Sequence, residues 1–244
     1  MWKRPILTFT IFVALAAMTG LAMDRNIPQQ HLPWRKLNPE APLGFATSSQ
    51  FLRMSLEPSK VCMDMARDAS GFKSIPADPK KTKSVCGWNV ARVVYGSEAG
   101  TFHPGEANMQ CPLAVGTYMW LREINTAAQN HLGSDLKKVH HVGTYSCRRQ
   151  NGNNSGQWSE HAYANAWDIT GFELADGRVI SVLKDWNGKD KKRQKFLRET
   201  RNKACKIFRV TLSPDYNKAH RDHLHVDMGP VSYTHLTLPT ICSV

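Results

Sequence analysis

Two short segments of the chain combine histidines and carboxylates in a pattern that suits a catalytic metal. Residues 159–168 read SEHAYANAWD, and residues 220–227 read HRDHLHVD. Imidazole nitrogens and carboxylate oxygens are donors for Zn²⁺, and a catalytic zinc takes three protein ligands and keeps one position open for water. Donors of the right type are supplied by His161, Asp168 and His225.

The second segment also places two histidines on one face of an expected strand. His223 and His225 are two residues apart, and alternate residues of a strand point to the same side. One of them can bind a metal while the other stands beside it as an acid or base. A zinc ion in such a site makes hydroxide available near neutral pH. The pattern therefore indicates metal-assisted hydrolysis.

The spacing of these residues resembles that of a known group of zinc peptidases. The pattern S-x-H-x-x-G-x-A-x-D followed by H-x-H is typical of the LAS metallopeptidases, which include D-Ala-D-Ala carboxypeptidases, dipeptidases and murein endopeptidases. Matching positions are held by Ser159, His161, Ala166 and Asp168. Ala164 replaces the usual glycine, which implies a slightly different backbone packing at that position.

A second resemblance, over residues 46–230, is to the bacterial extensin-like C-terminal family. It is carried by residues 111–114, 143–148, 159–162, 165–172, 204–205 and 220–227. The resemblance implies one domain with the small α+β fold shared by D-Ala-D-Ala peptidases and the hedgehog signalling domain.

The same resemblance implies a role for each candidate residue. One zinc ion per chain would be bound by His161, Asp168 and His225, with His223 as the general base. Arg148 would hold the scissile carbonyl or the developing oxyanion. Ser159 would position the substrate, and His220 would contact the metal ligands and help to orient them without binding the metal itself.

The N-terminus is typical of an exported protein. Lys3 and Arg4 precede an uncharged, mostly apolar run from residue 5 to 23. We expect residues 1–23 to be an uncleaved signal anchor in the cytoplasmic membrane or a cleaved signal peptide. Four prolines in residues 24–45 predict an extended linker before the domain.

The C-terminal residues match a translated DNA adapter. Residues 231–240 read VSYTHLTLPT, which is the translation of one frame of a common transposase sequencing adapter. We therefore expect residues 231–244 to be an assembly artefact and give no functional weight to Cys242. Among the other cysteines, Cys147 with Cys205 is a plausible disulfide, and Cys62 with Cys86 or Cys111 is another.

Composition narrows the class of protein and of partner. Hydrophobic residues make up 41% and charged residues 21%, which excludes a disordered or polytopic membrane protein. The net charge of +12 suits an anionic partner such as a wall polymer or a membrane surface. Residues 184–206 contain ten Lys or Arg and three acidic residues. This segment is either a contact surface for such an anionic partner or an ordinary solvated helix face.

Hydrophobic periodicity predicts mixed helices and strands, and hence an α+β class. Helices are expected at 113–132 and 194–208, and strands at 140–147, 166–174, 178–182 and 223–227.

The sequence features are consistent with two functions. The first is a monomeric, periplasmic zinc hydrolase that cuts peptide bonds of peptidoglycan, either as a carboxypeptidase or as another D,D- or L,D-peptidase. The second is a non-catalytic module of the same fold that keeps zinc and binds or scaffolds the cell wall. No nucleic-acid motif is present, and export argues against a nucleic-acid partner.

Overall fold

A computed structural model describes residues 3–57, 59–82, 85–229 and 241–242 of the chain. Its helices are α1 (Lys3–Asn26), α2 (Thr47–Leu56), α3 (Ser59–Asp68), α4 (Cys111–Leu132), α5 (Val182–Asp185) and α6 (Lys191–Ala204). Its strands are β1 (Phe72–Ala77), β2 (Lys80–Lys81), β3 (Gly87–Trp88), β4 (Ala91–Ser97), β5 (Gly100–His103), β6 (Ala107–Gln110), β7 (Leu136–Gly143), β8 (Ala166–Leu174), β9 (Val179–Ser181), β10 (Val210–Leu212), β11 (Leu224–Asp227) and β12 (Ile241–Cys242).

Ten of these strands form one mixed sheet within the described residues. The order is β1-β4-β5-β7-β8-β11-β10-β12, with β6 beside β4 and β9 beside β8. The β5–β7 and β10–β12 pairs are parallel, and the remaining pairs are antiparallel. Strands β2 and β3 form a separate two-stranded hairpin. The predicted α+β class is confirmed.

The core forms where the central helix α4 packs against the sheet and α6. The buried Trp120 of α4 meets Trp167 of β8 edge-on, with ring centroids 6.0 Å apart. Its indole nitrogen donates a hydrogen bond to the carbonyl of Thr200 on α6, at 2.9 Å. Because neighbouring strand residues alternate between faces, Ala166 and Asp168 point away from the side on which Trp167 packs.

Helix α1 carries an apolar stretch long enough to cross a membrane. Residues 8–26 meet this criterion by length and composition, and none of the window is buried against the rest of the protein. A signal sequence and a membrane anchor both have these properties. Both alternatives expected for the N-terminus are therefore compatible with α1.

Residues 24–45, predicted to be an extended linker, are instead packed onto the domain. Leu32 and Leu37 are buried, and the Gln50 side chain donates a hydrogen bond to the Leu32 carbonyl at 2.9 Å. The hydroxyl of Tyr118 donates to the Glu40 carboxylate at 2.8 Å. The pKa of Tyr118 is raised to about 12, mainly by burial and secondly by the adjacent Glu40 carboxylate. The prolines keep the segment irregular, but its apolar residues hold it against α2 and α4.

Disulfides connect segments that are distant in sequence. Cys62 bonds to Cys111, which was one of the predicted alternatives. The predicted Cys147–Cys205 pair is wrong, because Cys147 bonds to Cys86 and Cys205 bonds to Cys242. Residues 230–240 lie outside the described part of the chain, so the adapter origin of the tail stays a prediction. Residues 241–242 pair with β10.

Removal of the Cys62–Cys111 disulfide should destabilise the domain substantially. The bond closes a 49-residue loop, for which loop-closure entropy predicts a contribution of about 4 kcal/mol. We expect the Cys62→Ser, Cys111→Ser double variant to lose about 2–4 kcal/mol of unfolding free energy in urea titrations. A loss below about 0.5 kcal/mol would show that the bond does not constrain the unfolded chain in this way.

Candidate metal centre

The centre of the site is a cross-strand pair between β8 and β11. The antiparallel register places Asp168 directly opposite His225, on the face of the sheet that points away from Trp167. Asp168 Oδ1 accepts a hydrogen bond from His225 Nδ1 at 2.7 Å. Trp167 and Val226, the strand neighbours of these two residues, are fully buried in the core. Alternation along the two strands therefore delivers both side chains to one place.

A short 3₁₀ turn, Glu160–Tyr163, brings the third predicted ligand to this pair. Ser159 caps the turn by accepting a hydrogen bond from the His161 backbone nitrogen at 3.3 Å. The His161 ring is 4% exposed, and its Nδ1 donates to the carbonyl of Thr144 at 3.3 Å. Its other nitrogen, Nε2, lies 3.1 Å from Asp168 Oδ2.

The three predicted ligands form one cluster of potential donor atoms. One atom each from His161, Asp168 and His225 lies within 4.8 Å of the other two. The Nε2 atom of His161 is buried and has no hydrogen-bond partner of acceptable geometry among the described residues. A buried nitrogen without a partner is costly, and a metal ion would satisfy it. The two nitrogens and one oxygen are the donor set of a catalytic zinc site.

Electrostatics in this cluster favour a cation. Burial alone would lower the pKa of His225, but Asp168 and Asp227 outweigh it and raise that pKa to about 9. Burial likewise opposes ionisation of Asp168, yet the adjacent His161 and His225 hold its pKa below the ordinary value. Two carboxylates around one imidazole thus stabilise a positive charge, as a proton or as a metal ion.

The remaining two histidines of the second segment lie beside this cluster. His223 Nε2 is 3.7 Å from Asp168 Oδ1, and its Nδ1 is 2.8 Å from Asp222 Oδ1. This hydrogen bond is the main cause of a lowered pKa at Asp222. The His220 ring centroid is 5.1 Å from that of His223, and burial lowers the His220 pKa to about 4, with His223 as the next cause. His220 is therefore uncharged at neutral pH.

Arg148 and Ser159 lie on adjoining segments, but their side chains differ in environment. The backbone nitrogen of Ser159 donates to the Arg148 carbonyl at 3.1 Å. Ser159 is buried with its hydroxyl oriented to His161, whereas Arg148 is exposed. No side-chain hydrogen bond or ion pair of Arg148 occurs in the described part of the chain. The substrate roles predicted for both residues stay predictions.

Ala164 occupies a backbone conformation that favours glycine. Its φ of 55° lies in the left-handed region, where it ends the turn that carries His161. The buried side chain packs with Trp88 and Ala91 in a small apolar cluster. The absence of glycine therefore does alter the local packing. Ala164 adopts a backbone conformation that is strained for a residue with a Cβ atom, and its methyl group packs in the small apolar cluster.

Three contributors to the site were not identified from the sequence. Asp222 contacts His223, Asp227 contacts His225, and the Thr144 carbonyl contacts His161. The i, i+2 spacing of His225 and Asp227 on a strand was a usable signal for the second contact. A backbone carbonyl leaves no comparable signal in the sequence.

The fold and the site define an α+β protein with a candidate histidine–aspartate metal centre on one face of its sheet. The family model described as Extensin-like protein C-terminus matches residues 60–236, and the chain belongs to this family. No curated protein and no solved structure matches the chain.

Proposed function

We propose that this protein is an exported, zinc-dependent hydrolase of peptide bonds in peptidoglycan. The observation that carries the proposal is the convergence of His161, Asp168 and His225 within 4.8 Å, with His223 next to Asp168. The motif resemblance described above further supports a relationship to LAS metallopeptidases and to their hedgehog-like fold. The family match itself names no reaction.

The three clustered donors would hold one zinc ion per chain. When bound, the ion would polarise a substrate carbonyl and lower the pKa of water in its vicinity. His161 and His225 each keep one ring nitrogen bonded to the chain, to the Thr144 carbonyl and the Asp227 carboxylate. The second nitrogen of each ring is therefore turned towards Asp168, which matches a ligand arrangement.

On this proposal, His223 would move a proton during hydrolysis. Because the Asp222 carboxylate accepts from its Nδ1, the Nε2 atom is left to take a proton from attacking water. The water oxygen bonds to the carbonyl carbon, the carbon–nitrogen bond breaks, and His223 returns the proton to the leaving amine. Arg148 would stabilise the oxyanion, and Ser159 would position the substrate if its hydroxyl turned from its capping contact.

Charge and compartment are consistent with a cell-wall substrate. The net charge of +12 favours an anionic polymer, and the disulfides are compatible with an oxidising compartment. Helix α1 would hold the protein at the periplasmic face of the cytoplasmic membrane, or would direct its export. On this proposal the protein acts as a monomer, because the ligand set comes from one chain.

A non-catalytic zinc module that binds the wall is the second candidate. It is favoured by the environment of Arg148, whose exposed side chain makes no described contact with the ligand cluster. On this alternative the zinc stabilises the fold, and the protein binds peptidoglycan without cutting it.

Digestion of purified peptidoglycan distinguishes the two functions. The full-length chain, exported, oxidised and kept in detergent, is incubated with peptidoglycan, with and without a chelator, and soluble fragments are analysed by mass spectrometry. We expect fragments that have gained one water per broken peptide bond, lost with chelator and restored by added zinc. Wall binding with no new fragments under any condition would contradict the hydrolase and support the module.

A further inference from the structure

We propose that Asp227 is the positioning residue that fixes the His225 ring so that Nδ1 faces the metal. The inference rests on the metal centre of the proposed function and adds a residue that acts through a ligand. Each of the two nitrogens of His225 lies next to a different carboxylate.

The two carboxylates occupy opposite sides of the ring. Nδ1 is 2.7 Å from Asp168 Oδ1, and Nε2 is 2.9 Å from Asp227 Oδ2. The ligand cluster includes Asp168 but not Asp227. One ring cannot direct both nitrogens at a single ion, so the Asp168 side is the metal side. Asp227 is left as the acceptor of the Nε2 proton, in the arrangement found behind many metal-binding histidines.

Asp227 is itself held by more than one contact. Its second oxygen, Oδ1, accepts a hydrogen bond from the Gly229 backbone nitrogen at 2.8 Å. Its backbone belongs to β11, where it lies opposite the small residue Ala166 of β8. The residue is only 7% exposed. A carboxylate fixed at both oxygens can hold an imidazole ring in one orientation.

Close packing restricts the backbone that follows Asp227. A Cβ atom on Gly229 would lie 2.6 Å from side-chain carbons of Glu160, so a larger residue here would have to displace that side chain. Glu160 in turn accepts a hydrogen bond from the Asn165 side chain at 2.6 Å. The Gly229 nitrogen is therefore held in place as a donor to Asp227.

The two ring nitrogens of His161 are arranged in the same way, but the acceptor is a backbone carbonyl. Its Nδ1 is bonded to the Thr144 carbonyl, which leaves Nε2 towards Asp168. In both histidines, one nitrogen is fixed by the chain and the other faces the shared carboxylate. Asp227 thus does for His225 what a backbone carbonyl does for His161.

The test compares zinc affinity in full-length wild type, Asp227→Asn and Asp222→Asn by chelator competition. An amide has one acceptor oxygen, so Asp227→Asn leaves either His225 Nε2 or the Gly229 nitrogen without its acceptor. We expect its zinc affinity to fall about 10–100-fold. The Asp222→Asn control alters the partner of His223, which is not a ligand, and should bind zinc like wild type.

Two further readouts separate positioning from a purely structural role. Ring ¹⁵N shifts of the zinc-loaded protein should show the remaining His225 proton on Nε2 in wild type and a changed pattern in Asp227→Asn. A lower melting temperature of metal-free Asp227→Asn, with unchanged ring shifts and zinc affinity, would overturn the positioning role alone. Failure of wild type to bind zinc would instead remove the metal centre, and the proposed function with it.

Discussion

Replacement of His161 by alanine should abolish stable zinc binding while leaving the fold intact. The variant removes one of the three proposed ligands, so the affinity should fall by more than the ~100-fold upper range for loss of a supporting partner. In the metal-free protein the variant loses the Nδ1 hydrogen bond to the Thr144 carbonyl, whereas Nε2 has no hydrogen bond of acceptable geometry to lose. The unfolding free energy of that form should therefore fall by only about 1–3 kcal/mol. Elemental analysis and urea unfolding measure the two quantities.

His220→Ala is the matched control for this variant. The supporting role expected for His220 rests on ring contact alone, with centroids 5.9 Å from His225, because its Nδ1 pairs with the Asn217 side chain at 2.8 Å and not with a proposed ligand. The control should retain zinc. Equal zinc loss in both variants, or retention of zinc by His161→Ala, would show that the ligand set is wrong.

Replacement of His223 by alanine should remove turnover and leave zinc in place. His223 is outside the three-donor cluster, but its Nε2 approaches Asp168 Oδ1 at 3.7 Å. Loss of a general base typically lowers a rate about 10²–10⁴-fold. We expect a loss of this size in the release of peptidoglycan fragments, with wild-type zinc content.

Asp222→Asn provides an intermediate case for the same role. The amide can still contact the His223 ring, but it no longer presents a charged acceptor to Nδ1. Its activity should fall between wild type and His223→Ala. Undiminished fragment release by His223→Ala would contradict the base assignment, and absence of fragments from wild type as well would favour the binding module.

The sequence predicted best those elements that carry regular hydrophobic periodicity. Strand β8 has the predicted bounds, 166–174, and α4 begins only two residues before the predicted helix 113–132. Helix α6 begins at Lys191 instead of 194, because Asp190 caps it by accepting from the Lys192 and Arg193 backbone nitrogens. An aspartate directly before a helix is a capping signal that the sequence itself carries.

Prediction failed where structure depends on distant partners. Strand β7 covers 136–143 and not 140–147: Lys137 and Lys138 obscure its start, and the positive φ of Gly143 falls at its end. Strands β2, β3, β5 and β6 have only two to four residues, too few to show a regular alternation, and β5 pairs with the more distant β7. Disulfide pairing has the same origin, since Cys86 bonds to Cys147, which is 61 residues further along the chain.

The site was predictable in part because the spacing of its residues follows the alternation of side chains along a strand. Alternation brings His225 opposite Asp168, and a short turn before β8 supplies His161. The partners that orient these rings, Asp227 and the Thr144 carbonyl, follow from tertiary contacts. The sequence therefore identified the candidate ligands, while their orientation required the structure.

Anomalous X-ray diffraction at the zinc absorption edge tests the central claim most directly. Crystals of the oxidised full-length protein, grown without chelator, should show one anomalous peak per chain. This peak should lie within about 2.0–2.2 Å of His161 Nε2, an Asp168 oxygen and His225 Nδ1. A peak bound by other residues, or none in protein supplied with zinc, would contradict the assignment of this centre.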